Sequence, residues 1–243
     1  MLVRIMSKEQ KIVVVTGSAS GIGLGLCNRL ISEGSYLTYG IDKQNHPGVI
    51  KSEDYEHIVT DLRDFSQTLS RITESGVLKE RVFALVNAAG VMPSMLVPAM
   101  DPDVATDAFK VNCVAPVYLS KLMLKALARS KGSSIINITS IAADIDIPGE
   151  TIYCASKSAL THVTQSMAKE LARFKIKVNS IAPALIATNM TAHLSEAQKA
   201  YMLQKQVLNK EITVDDVVEI IINVMNTSDL VTGSTFYVGG VVK

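Results

Sequence analysis

Cysteine is scarce in this chain: Cys27, Cys113 and Cys154 lie far apart, with no C-x-x-C pair. That spacing excludes a disulfide framework and a cysteine-based zinc site, and it fits a reducing, cytoplasmic setting. Charge of one sign is equally scarce, since 24 Lys and Arg stand against 23 Asp and Glu for a net charge of +1. A nucleic-acid partner would need a basic excess that a pI near 7.7 does not show. No uncharged apolar run approaches the roughly 18 residues of a bilayer span, and the opening apolar stretch is too short for a secretory signal, so no membrane partner is expected. Met6 serves as an initiator as well as Met1, because residues 7–11 read as a polar lead-in to a first strand.

What the chain has is 48% apolar residues over 243 positions, enough for one core and too much for intrinsic disorder. Short β-branched runs at 12–16, 36–41, 57–60, 82–87, 134–139, 178–182 and 235–238 read as about seven strands. The first four are continuously apolar, the pattern of a strand covered on both faces. Helical patterns fill 22–32, 65–73, 103–128, 152–173, 196–206 and 214–225. Strand and helix in alternation predict a single α/β domain over 1–243: a doubly wound parallel sheet, or Rossmann fold, with helices on both faces. The crossover between Asp42 and His57 has only 14 residues, including Pro47-Gly48, and predicts a loop or at most one helical turn. Residues 188–214 are the expected mobile lid.

The first strand runs into Thr16-Gly17-Ser18-Ala19-Ser20-Gly21-Ile22-Gly23 and then an apolar helix. A strand, a glycine-rich turn and a helix N-terminus set backbone N–H groups where a pyrophosphate sits. Gly17 serves the tight turn, Gly21 the close approach to phosphate and Gly23 the packing of helix on strand. A phosphate-binding loop of the Gly-Lys-Ser/Thr type is excluded by the missing lysine. Asp42 ends the second strand 19 residues after Gly23, where a carboxylate accepts from an adenosine ribose and repels a 2′-phosphate. Ser20 leaves the turn without a cation, and Lys43 softens the exclusion. NAD is therefore expected over NADP. Tyr153 and Lys157 stand at i and i+4 on a helix, a spacing that Tyr39/Lys43 and Tyr201/Lys205 share. Only Tyr153 follows a strand ending in Thr139-Ser140, 13 residues upstream of it.

With these motifs the sequence resembles the classical short-chain dehydrogenase/reductase family over essentially its whole length. The family's TGxxxGIG matches Thr16 to Gly23, its Asp-Leu matches Asp61-Leu62, its NAAG matches Asn87-Ala88-Ala89-Gly90, and its YxASK matches Tyr153 to Lys157. The resemblance implies a catalytic tetrad of Ser140, Tyr153, Lys157 and Asn112. It adds cofactor contacts from Ile22, Asp61, Leu62, the 87–90 segment, Tyr153, Lys157, Pro183, Ile186 and Thr188. Asn112 would position a water that links Lys157 to solvent, and Lys157 would also hold the nicotinamide ribose. Equivalent helices pair across two-fold axes in the family, so a homotetramer or homodimer is implied, through apolar residues such as Val114, Leu119, Leu122, Ala155, Val163 and Met167. Two departures stand out: Ala184 follows Pro183 where the family has Gly, and Val238-Gly239-Gly240 lacks the Asp of V-D-G-G.

The implied chemistry is hydride transfer between a nicotinamide and a small secondary alcohol or ketone, with no metal. Tyr153 has an ordinary pKa of about 10 and needs about 4 kcal/mol of help to ionise near pH 7. A cation at ~4 Å supplies about that much, which is the role expected of Lys157. His46 and His57 read as surface or strand-end residues, His162 as packed, and His193 as a lid residue. Met92, Met95 and Met190 read as core filling or as an adaptable pocket. Asp144, Asp146 and Glu150 read as a solvated loop. Three other functions stay open: an NADPH-dependent 3-oxoacyl reductase, a non-catalytic NAD-binding sensor or scaffold, and a nucleotide-binding methyltransferase. The last has no use for the tetrad.

Overall fold

A computed structural model describes residues 10–45, 51–188, 190–192, 194–208, 210 and 212–242. His46, Pro47-Gly48, His193 and the 1–9 segment lie outside the described residues. Seven strands form one parallel sheet: β1 (Lys11–Thr16), β2 (Tyr36–Asp42), β3 (Tyr55–Val59), β4 (Val82–Asn87), β5 (Ser134–Ile138), β6 (Lys177–Pro183) and β7 (Thr235–Val238). Their order is β3-β2-β1-β4-β5-β6-β7, so the chain winds outward from β1 and then returns to lay β4 on its other side. The doubly wound fold is as expected. Where the direction of winding reverses, between β1 and β4, the connections after the two strands diverge and leave a crevice.

Continuous apolar runs exist where a strand serves two cores, as β1, β2 and β4 do; the expected double cover fails at β3, which is at the sheet edge and buries only Ile58. On β1, Val13 and Val15 join one buried cluster with Leu26 and Leu30 of α1 (Gly21–Glu33) and Val217 and Ile221 of α7 (Val214–Met225). Ile12 and Val14 point the other way, to Leu119 and Met123 of α4 (Ala115–Ala128) and Met167 of α5 (Thr151–Leu171). Each fully buried Leu or Ile contributes about 1.5–3 kcal/mol. Leu119 and Met167 are thereby spent inside the molecule. Of the residues expected at a two-fold helix interface, they alone are buried, while Val114 and Ala155 are exposed.

The expected helix at 103–128 is interrupted. α3 (Pro102–Phe109) and α4 are joined without a break by a π-helical turn, Lys110–Val114, that contains Asn112. By length and composition Pro102–Ala128 could cross a bilayer; Ala115, Leu119, Met123 and Leu127 on it pack against the sheet. The described residues of the 43–54 crossover form no helix. α2 (Phe65–Glu74) follows β3, and α6 (Glu196–Gln204) occupies the expected lid, opened by a Ser195/Gln198 capping box.

Candidate active site

A cleft of about 580 Å³ runs along the C-terminal edge of the sheet, across the β1/β4 crevice. Gly17, Ser20, Gly21 and Ile22 floor it, and Asp42, Asp61 and Leu62 line one end. Ala88, Ala89 and Gly90 line the middle, and Ser140, Tyr153, Lys157, Pro183, Ile186 and Thr188 the other end. Residues expected from seven segments of sequence thus converge on one surface.

The floor is built for close approach. Gly17 has φ +70, and a Cβ there would stand 2.9 Å from the Ala89 backbone. At Gly21, in the first turn of α1, a Cβ would meet nothing nearer than Thr188 Cγ2 at 4.0 Å, so the backbone opens to the cleft. The N–H groups of that turn and the helix dipole fit a pyrophosphate. Thr16 Oγ1 accepts from Ala89 N at 3.0 Å and holds the 87–90 segment to β1. Asp42 is fixed by two backbone donors, Ala19 N to Oδ2 at 3.1 Å and Gln44 N to Oδ1 at 2.9 Å. These hold its carboxylate on the cleft wall, and the residues present fit an adenine dinucleotide.

Three expected site residues act from behind the wall. Gly23 is buried under the Gly17 turn, where a side chain would strike the Gly17 carbonyl. Asn87 donates Nδ2 to Asn137 Oδ1 at 2.8 Å, and Asn137 donates to Thr164 on α5 at 2.9 Å, so Asn87 ties β4 to β5 and α5. Asn112, wholly buried, accepts from Val91 N at 2.8 Å and donates to Val91 O at 2.8 Å and Ser156 Oγ at 2.9 Å. Ser156 in turn donates to Tyr153 O at 2.8 Å. Asn112 therefore clamps the segment after Gly90 to the helix of Tyr153 and Lys157. The π-helical turn that presents it has no signature in the hydrophobic period, so Val91 and Ser156 were missed.

At the reacting end, Ser140 follows β5 and hydrogen-bonds the Tyr153 phenol, favouring its ionised form. Burial outweighs this and pushes the phenol up to about 12, with the Cys154 and Glu150 charges adding to the rise. Lys157 donates Nζ to Ile138 O at 2.7 Å and stands 5.8 Å from the Tyr153 ring centroid. Burial brings its ammonium down to about 8. The expectation that Lys157 nearly suffices to lower the phenol is thus not met. The ammonium is aimed at the Ile138 carbonyl, and burial governs the phenol.

Other expectations are corrected. Glu150 is fully buried rather than solvated, since it closes the N-terminal end of α5 under the Gly149 turn. Asp144 accepts from Tyr237 at 2.6 Å, and Asp146 is exposed. His162 is exposed, not packed: nine residues beyond Tyr153, at about 100° each, put it on the opposite face of α5. His57 is half-buried on β3, bonded to Tyr55 and to the Gln44 carbonyl. Asp61 accepts from Arg63, which also grips Asp107 at 2.9 Å, a pairing the sequence did not reveal. The two family departures face each other. A Cβ on Gly239, at φ +92, would lie 2.8 Å from Ala184 Cβ, so the methyl after Pro183 takes space that only glycine leaves free. Gln206, also missed, is buried and accepts from Leu185 N at 2.9 Å, fixing the wall after Pro183.

Known proteins show the same arrangement of sequence and fold. A family model described as short chain dehydrogenase matches residues 11–199. The chain is 30% identical to the 3-oxoacyl-acyl-carrier-protein reductase FabG of Haemophilus influenzae over 239 residues, covering 96% of this chain and 98% of that protein. It is 28% identical to the enzyme of the same name from Thermotoga maritima over 245 residues, covering 97% and 98%. A solved structure of 4-hydroxyisoleucine dehydrogenase complexed with NADH superposes with TM-score 0.81 at 29% identity, covering 95% of this chain and 98% of that one.

Proposed function

This chain belongs to the short chain dehydrogenase family, as an oxidoreductase acting on CH–OH and C=O groups with a nicotinamide dinucleotide, and from that premise we propose that its cofactor is NAD and its substrate a small secondary alcohol or ketone. The observation that carries the reading is the cleft itself, with Asp42 fixed at one end and Ser140, Tyr153 and Lys157 together at the other. NADH bound to the 29% identical dehydrogenase supports it.

The nicotinamide, when bound, supplies or takes the hydride. Tyr153 moves the proton at the substrate oxygen, and Ser140 donates a hydrogen bond to the same oxygen. With its pKa held near 12, the phenol of the free protein is a proton donor, suited to carbonyl reduction. In the oxidative direction the same oxygen takes the carbinol proton, which requires added positive charge beside it. Lys157, anchored on Ile138 O, keeps its ammonium beside that helix turn, where it would hold the nicotinamide ribose. Asn112 and Ser156 keep the two segments in register.

Three free cysteines among the described residues support a reducing, cytoplasmic setting. Exposed Val114 and Val117 on the α4 side support a homo-oligomer, tetramer or dimer. A second reading, an NADPH-dependent 3-oxoacyl reductase, draws on the FabG relatives; Asp42 and the uncharged Ser20 oppose it. Titration calorimetry decides between the two. NADH is expected to bind at least about tenfold more tightly than NADPH, and Asp42→Ala to narrow that ratio. Equal affinities in the unsubstituted protein would remove NAD from the proposal.

A further inference from the structure

Charge along the cleft is sorted by strand. Asp42 ends β2 and Lys43 follows it, Asp61 and Arg63 follow β3, and Asp107, paired with Arg63, stands on the same side. Beyond the sheet centre, the one charged side chain lining the cleft among the described residues is Lys157, already committed to Ile138 O. On that side the described lining is instead Met92, Leu185, Met190 and Met202, with no further cation among the described residues to meet a substrate carboxylate. Unbranched thioether side chains adapt to flexible apolar groups.

The loop that carries Met92 is itself apolar. Met92 opens the run Met-Pro-Ser-Met-Leu-Val-Pro-Ala-Met at 92–100, in which Ser94 is the only polar side chain. Met95 N donates to Gly149 O at 2.8 Å, which pins this loop to the turn four residues before Tyr153. From that anchor Leu96 and Val97 stand 62% and 63% exposed. Leu230 is more exposed, at 91%, but precedes β7 and lies at the opposite edge of the sheet. Leu96 and Val97 therefore stand four and five residues beyond Met92, on a loop that lines the cleft at Met92 and is held against the turn before Tyr153. The loop's start in the cleft lining and its anchor beside it argue for an occupant that is itself held in the cleft.

Resting on the oxidoreductase reading above, we propose that the substrate is an uncharged ketone or secondary alcohol with an unbranched apolar chain, which leaves the cleft past Met92 and lies on Leu96 and Val97. The chain covers side chains that water otherwise surrounds, so each added methylene strengthens binding until the shelf is filled.

The test is NADH-dependent reduction of methyl ketones from butanone to decanone, with levulinate as the carboxylate-bearing counterpart of hexanone. The expected kcat/KM rises about fourfold per methylene, with levulinate at least about tenfold below hexanone. Leu96→Asp together with Val97→Asp lowers the decanone-to-butanone ratio at least about tenfold, and Leu96→Ser with Val97→Ser lowers it less; Leu230→Asp leaves it where it was. A flat chain-length profile, or levulinate preferred to hexanone, in a protein that binds NADH and reduces some ketone, overturns the inference while the oxidoreductase reading stands. An unchanged ratio in both double variants overturns it too, and so does a change of mass in light scattering, which assigns the loop to a contact between copies. A protein that binds neither NADH nor NADPH removes both.

Discussion

Two Tyr–Lys pairs in this molecule have the same spacing and almost the same local geometry. Lys157 Nζ lies 5.8 Å from the Tyr153 ring, and Lys205 Nζ lies 5.5 Å from the Tyr201 ring. Helical periodicity accounts for both distances. Their surroundings differ. Tyr153 and Lys157 are buried on α5, against the C-terminal ends of β5 and β6, with Ser140 and Ile138 O in reach. Tyr201 and Lys205, at the end of α6, are half-buried, and no strand-end hydroxyl meets them in the hydrogen bonds of the described residues. A helix brings a phenol and an ammonium together; only the sheet removes water from them, and desolvation is what perturbs a proton's affinity.

The largest expected break in the comparison is in turnover. Tyr153→Phe removes only the phenolic oxygen, so the rate should fall by about 10² to 10⁴ while NADH affinity holds. Tyr201→Phe should stay within about twofold, measured on the same substrate. Near-normal turnover in Tyr153→Phe, or its loss in a folded Tyr201→Phe, would reverse the assignment.

Next in size is a stability effect with a defined sign. Burial holds Lys157 at about 8 against its ordinary 10.5. Between those values the unfolded chain binds the proton and the folded chain does not, so stability rises with pH through this window. Below pH 8 the whole cost is present, and the difference between 10.5 and 8 corresponds to about 3 kcal/mol. Lys157→Met should therefore be more stable than the unsubstituted chain near neutral pH, by up to about 3 kcal/mol, with the advantage fading toward pH 10.5. Urea unfolding across that range reads it out, and Lys205→Met should show no such trend. A Lys157→Met protein less stable at every pH would mean that the bond to Ile138 O outweighs desolvation.

The smallest effect concerns the residue three positions after each tyrosine. Ser156→Ala leaves one Asn112 donor without its partner in a buried site and should cost about 1–2 kcal/mol in thermal unfolding. Gln204→Ala, exposed on α6, should stay within about 0.5 kcal/mol. Equal losses would show that the Asn112–Ser156 link is not what holds the two segments.

Much of this was legible in the residues. Continuous apolar runs marked strands covered on both faces at β1, β2 and β4, though not at the edge strand β3, and Asp42 at its offset from the glycine turn did come to the cleft wall. Two kinds of feature were not legible. Asn112 lies in a helical pattern that gives no sign of the π-helical turn, because that turn spans only Lys110–Val114, too few residues for a change of period to show. Glu150 looked like one of three loop acids, yet the Gly149 turn folds it inward while Asp146 stays in water.

The sequence by itself determined the order of strands and helices, the glycine turn and the helical pairing of Tyr153 with Lys157, because these follow from spacing over a few residues. Tertiary structure decided which Tyr–Lys pair loses its water, and it turned Lys157 toward Ile138 O. It also sorted the charges to one end of the cleft. Those outcomes depend on groups from separate strands meeting at one sheet edge, and the strength of an electrostatic interaction depends on the medium around it. That medium is a property of the packed molecule, which no local stretch of chain encodes.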